Sequence, residues 1–246
     1  MFWYRDFVLA WTATSLVTMG TQMEGVVLGW FILTKTDSPF LAGAIWSARM
    51  SLNIMSLFAG AIADRIPRHK ILAAVNFMTA ALSILMLLLI LSGRSEMWHI
   101  FSIVVVAGMV QVFQMPSAQA LVADTLPEDR IANGAAFNTL GRNLAMLLGP
   151  LVGGVLFKVS GPEGAYLAVA ALYFLSGWVA IYIRSSGISQ NRPSESVFRT
   201  MVAGLKYVKS NQLLWATLLL ILIVESSGWT FPHHRRAHIR TQRTWH

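Results

Sequence analysis

The chain has 246 residues, 55% of them hydrophobic and only 12% charged, where a soluble domain carries roughly 25% charge. Its apolar residues fall in runs too long for a globular interior, which excludes an ordinary soluble enzyme and makes lipid the solvent. With no Cys, disulfides, thiolate metal sites and cysteine nucleophiles are excluded. The net charge of +8 matters through the loops that hold it, and no nucleic-acid partner is expected.

A hydrocarbon core of roughly 30 Å needs about 20 apolar residues per helix, and six runs meet that length: about 9–33, 41–62, 71–91, 98–121, 134–157 and 164–183. The first is too long for a signal peptide, carries Glu24 and lacks a small-residue cleavage pattern, so it reads as a retained span. The linker after the sixth run contains Ser185, Ser186, Gly187, Pro193 and Ser194. It is followed by Val197, Met201, Leu205 and Val208 at spacings of three and four, a short amphipathic helix on the membrane face. A seventh run starts at Leu213 and is apolar to Val224, then meets Glu225, Ser226, Ser227, Gly228 and Pro232. The expected domains are therefore a six-helix transmembrane half over 1–184, a cytoplasmic linker over 185–211, an incomplete seventh helix over 212–231 and a basic tail over 232–246.

Cytoplasmic loops retain Lys and Arg. One set of alternate loops holds ten of them, among them Arg5, Arg65, Arg68, Lys70, Arg130 and Arg184, while the other holds Lys35, Arg94 and Lys158. This asymmetry predicts a multi-pass plasma-membrane protein with a cytoplasmic N-terminus. The tail, with four Arg and four His, contradicts that rule where the seventh span should emerge. Shifting the reading frame by one base from Phe231 permits an apolar continuation, so the tail is expected to be a frameshift or mis-assigned gene end on the front portion of a longer transporter. A genuine basic tail and a His-rich metal tract are the alternatives.

Chemistry concentrates in two motifs. At the cytoplasmic end of the second span, Gly60, Asp64, Arg65, Arg68 and Lys70 resemble the loop signature of the major facilitator superfamily. Pro67 stands for its turn glycine and His69 for a basic residue; Pro still permits a tight turn between helices. In the fifth span Gly141, Ala145, Gly149 and Gly153 recur every four residues, with Pro150 and Gly154 beside them. Residues four apart share a helix face, and small ones let a neighbouring helix approach closely. This core resembles the span-five motif of the superfamily's exporters, a generic packing face being the alternative.

Arg5-Asp6-Phe7, Gln22-Met23, Asp37-Ser38-Pro39 and the Pro127–Asn133 segment extend the resemblance to the branch that holds the enterobactin exporter and macrolide efflux proteins. The resemblance implies an all-α fold: the six-helix half of a major facilitator bundle, made of two inverted three-helix repeats, plus an incomplete seventh helix. It implies efflux of a small amphipathic molecule, a drug or siderophore, by alternating access as a proton antiporter. The partners are then a small-molecule substrate, protons, the bilayer, and a missing C-terminal half or a second copy in a homodimer; a non-transporting membrane fragment is the rival from another class. The superfamily's span four often has a buried Arg, where this chain offers Gln111, Gln114 and Gln119.

A charge inside a span costs about 2.5–3.5 kcal/mol on insertion scales and normally faces a cavity or a partner. Glu24 lies thirteen residues past Trp11 and Arg49 thirteen before Ile62. At 1.5 Å per residue both sit about 20 Å from the cytoplasmic face, so they are expected to pair or to line the cavity together. That pair serves either coupling and substrate binding or a structural ion pair. Arg142, with Asn138 one turn before it, joins Gln111 and Gln114 as a cavity candidate. His99 beside Trp98 suits an outer aromatic belt. No catalytic residues, cofactor, metal or phosphate loop are expected.

Overall fold

A computed structural model describes residues 5–52 and 66–184, together with Trp215. The chain divides into two units, Met1–Gln190 and Asn191–His246. Of the second, only Trp215 is described, helical and 47% exposed. The end of the second span with Gly60, Asp64 and Arg65, the linker, the seventh helix and the tail lie outside the described residues.

The first unit is helical throughout its described length: α1 (Arg5–Thr36), α2 (Pro39–Leu52), α3 (Arg68–Leu91), α4 (Met97–Gln111), α5 (Gln114–Asp124), a 3-10 turn (Glu128–Arg130) and α6 (Ile131–Ile181). Helices are what an apolar chain must form in lipid, because only they satisfy every backbone polar group within the segment. Among the described residues four stretches are long and apolar enough to cross a membrane: Arg5–Thr36, Arg68–Leu91, Met97–Leu121 and Ile131–Ile181.

Two features differ from the spans read in the sequence. The connection expected between 157 and 164 is reduced to a sharp break at Gly161 inside α6, where the fifth and sixth crossings join; its φ of 70° and ψ of −176° only glycine adopts readily. Pro162 follows, a residue preset for a first helical position. Contacts show what the break does. Before it, Gly134, Gly141 and Gly153 face Phe7, Trp11 and Met23 in turn; beyond it, Tyr173 lies by Gly20 while Ser176 bonds Ala13. The two arms therefore run in opposite directions along α1 and cross the bundle twice.

The second difference is in span four, which is interrupted at Val112–Phe113 between α4 and α5. Pro116 explains it: lacking an N–H, it cannot bond the carbonyl of Val112, and its ring crowds that group. The joint falls directly between Gln111 and Gln114.

The core forms three layers along α1. At one end Phe7 and Ala10 pack with Leu72, Leu121, Ala180 and Ile183. In the middle Val17 and Met23 meet Ala80, Val169 and Tyr173. At the other end Val27, Phe31 and Ile32 pack with Ile45, Met86, Ile90 and Ile100. Read along each helix, these layers make successive crossings antiparallel. Buried polar links fasten them: Asn76 Nδ2 donates to Ser176 Oγ at 2.7 Å, and that hydroxyl donates to the Ala13 carbonyl at 2.7 Å. Lys35 donates to Ser95 at 2.6 Å near the turns at the far end. Glu96 and His99 cap α4 reciprocally, and Trp98, 62% exposed, donates to Glu96 at 2.9 Å. His99 thus caps a helix beside an aromatic that stays free to meet the interface.

Candidate functional site

The middle layer carries the charges. Glu24 on α1 and Arg49 on α2 are 5% and 8% exposed, and Arg49 Nη2 lies 3.1 Å from Glu24 Oε2. The same nitrogen donates to Gln111 Oε1 at 2.7 Å. From α6, the Tyr173 hydroxyl donates to Glu24 Oε2 at 2.8 Å and accepts from Gln111 Nε2 at 3.3 Å, with Thr21 Oγ1 3.2 Å away. Four helices thus contribute to one closed polar network. Removing one member of such a buried pair leaves the other uncompensated, a loss of roughly 3–5 kcal/mol.

Thr14, Thr18 and Thr21 return their hydroxyls to carbonyls four residues back, at 2.7–2.9 Å, which lets a polar stripe exist on a membrane helix without unpaired donors. The stripe faces a cavity of about 240 Å³, lined also by Trp46, Arg49, Gln111, Gln114 and Arg142. The Arg49 guanidinium stacks over Trp46 at 5.9 Å. Asn138 shares a hydrogen bond with Thr14 at 3.1 Å. Of the cavity candidates, Glu24 stands just behind the wall while Arg49, Gln111, Gln114 and Arg142 line it. Tyr173 and Thr21 had no sequence signal of their own, since one Tyr in an apolar run looks like packing. Counting its depth from Arg184, eleven residues or about 16 Å, places it near the level of Glu24.

The stripe of small residues lies against α1. A Cβ on Gly149 would fall 2.7 Å from Gln22 Cβ and 3.0 Å from the Met19 carbonyl, and one on Gly153 would fall 3.2 Å from Met23 Cα. Gly141 meets Trp11 and Ser15 in the same way, and Ala145 is 6% exposed. Gly154 does not belong to this face, because nothing lies within 4 Å of its Cβ position; one residue on from Gly153, it is rotated about 100° around the helix. Pro150 is half-buried beside Gly149. Of the loop residues, Arg68 pairs with Asp124 at 2.5 Å, tying the start of α3 to the end of α5, and Lys70 is exposed. Among the described residues no group of three or more His, Cys, Asp or Glu lies close enough to hold a metal.

A bundle of antiparallel apolar crossings with a buried ionic network and a cavity at mid-depth is the architecture of a multi-pass membrane protein. A major facilitator family model described as "Transmembrane secretion effector" matches residues 2–228, and the chain belongs to that family. It is similar to an uncharacterized major facilitator-type transporter of Bacillus subtilis, 25% identical over 85% of this chain and 51% of the relative. The staphyloferrin A transporter of Staphylococcus aureus is 21% identical over 86% of this chain and 54% of its own length. A multidrug resistance protein of Salmonella typhi is 28% identical over 92% of this chain and 56% of its own. The chain thus spans about half the length of these relatives.

Proposed function

We propose that this chain supplies one six-helix wall of an exporter that moves a small amphipathic molecule across the cell membrane by alternating access, driven by the proton-motive force. The observation that carries the reading is the Glu24–Arg49–Gln111–Tyr173 network beside an open cavity: charges so costly to bury are kept where a solute can reach them. Glu24 is the buried carboxylate among the described residues and the natural carrier of a proton. Relatives named for staphyloferrin A and for multidrug resistance support a small-molecule cargo and outward movement. The excess of basic residues in alternate loops supports a cytoplasmic N-terminus. Gly60, Asp64 and Arg65 with Arg68 and Lys70 are assigned to the loop that steadies the cytoplasmic end during rocking.

Alternating access needs two walls that rock about a midplane site, and this chain spans about half of its relatives. The second wall is proposed to come from a further six-helix half, with a second copy of the chain as the rival source. Reconstitution tests both. The 246-residue chain should insert but not extrude a dye from vesicles alone, and should do so when a relative's C-terminal half is co-expressed. Export by the chain alone, with crosslinks only between its own copies, would replace the two-half reading with the homodimer. Absence of export in every assembly would leave a non-transporting membrane protein.

A further inference from the structure

Three side chains lining the cavity hold buried polar atoms without hydrogen-bond partners: Arg142 at Nε, Gln114 at both amide atoms and Ser15 at its hydroxyl. They account for four of the eight such atoms among the described residues, so unmet polarity is gathered at one surface. Buried donors and acceptors are normally satisfied, and a cluster that is not is placed to meet something else. This is not a packing face: the groups come from α1, α5 and α6 and converge on open space.

Charge decides what they meet. Among the described residues the lining holds Arg49 and Arg142 and neither Asp nor Glu. Arg49 is neutralised from behind by Glu24, whereas Arg142 has no ion pair among the described residues. The cavity therefore presents one uncompensated guanidinium, a group that always carries its charge and matches an acidic headgroup with paired donors. A cationic solute would face that charge with no carboxylate to shield it, and a neutral one would leave it uncompensated.

We infer that the cavity binds an amphipathic monoanion, its acid group held by Arg142 and Gln114 and its apolar body against Trp46, Met115 and Met146. This rests on the exporter reading and names its substrate class. Losing the Glu24 charge frees Arg49 and makes the cavity more positive, which strengthens its hold on an anion. The electrical part of the proton-motive force, negative inside, draws such a solute outward.

The test is binding, read without transport. The full chain in zwitterionic-lipid nanodiscs is titrated with pyrenebutyrate, pyrenebutanamide and pyrenebutyl-trimethylammonium, and the pyrene signal of empty discs is subtracted. The carboxylate should bind about tenfold tighter than the other two, the effect of one charge-assisted hydrogen bond. Arg142→Gln should abolish the preference and Arg142→Lys keep most of it. Gln114→Glu should weaken the carboxylate and favour the trimethylammonium, and Glu24→Gln should strengthen the carboxylate. Equal binding of all three probes overturns the inference, as does an unchanged preference in either Arg142→Gln or Gln114→Glu with native helix content. Displacement of pyrenebutyrate by an equimolar amount of phosphatidylglycerol would assign the site to lipid headgroups and also overturn it. Export of a lipophilic cation without any anion preference would sink this inference alone. Anion preference without export in any assembly would sink the exporter reading alone.

Discussion

At the scale of single residues, the Glu24–Arg49 pair poses a choice between fastening the bundle and serving transport, and mutation separates the two. Arg49→Met leaves the Glu24 carboxylate buried beside Tyr173 and Gln111 with no cation, and should destabilise the protein by about 3–5 kcal/mol. Adding Glu24→Gln removes the stranded charge, so the double variant should recover most of that loss in detergent melting. Export in the two-half assembly should stay abolished in the double variant. Recovery of export together with stability would make the pair a fastener only. Glu24 and Arg49 were legible in the sequence because charges in apolar runs stand out and helical rise converts position into depth. Tyr173 was not, since a hydroxyl on an apolar body gives no such contrast.

For the elements, close approach and chain reversal carry the argument. Gly149 and Gly153 let α6 lie on the backbone of α1 around Met19 and Met23. Gly149→Leu or Gly153→Leu must separate helices whose association in lipid relies on packing, and should lower the melting temperature and export together. Gly154→Leu, pointing into open space, should do neither; equal damage from all three would show that the stripe is not a face. Gly161 is held at φ 70°, ψ −176° between the two arms of α6. Gly161→Ala should cost on the order of 1–3 kcal/mol, because that backbone region is essentially closed to side chains. Unchanged thermal stability would mean that the arms reverse by another route.

For the whole molecule, the direction of the bundle in the membrane follows from its antiparallel crossings once one end is fixed. The chain has no Cys, so single cysteines report position without background. Lys158→Cys, exposed beside the reversal in α6, should react with an impermeant maleimide added outside intact cells, and Lys70→Cys, exposed at the start of α3, only after the cells are opened. The reverse pattern would place the N-terminus outside and undo the proposed direction of export.

Length and hydropathy by themselves determined that this is a helical, multi-pass membrane protein, and motif spacing pointed to its superfamily, because lipid demands long apolar helices and glycine spacing sets one face. Depth arithmetic brought Glu24 and Arg49 to one level. What tertiary structure alone decided is the company they keep. Gln111 reaches Arg49 from a helix that breaks at Val112–Phe113, and Tyr173 reaches Glu24 because Gly161 turns its arm back along α1. The position of Asp124 opposite Arg68, the departure of Gly154 from the stripe and the unpaired atoms of Arg142 and Gln114 also depend on rotations about helix axes. Hydropathy is blind to these, since it fixes how far along a helix a residue sits and not which neighbour it faces.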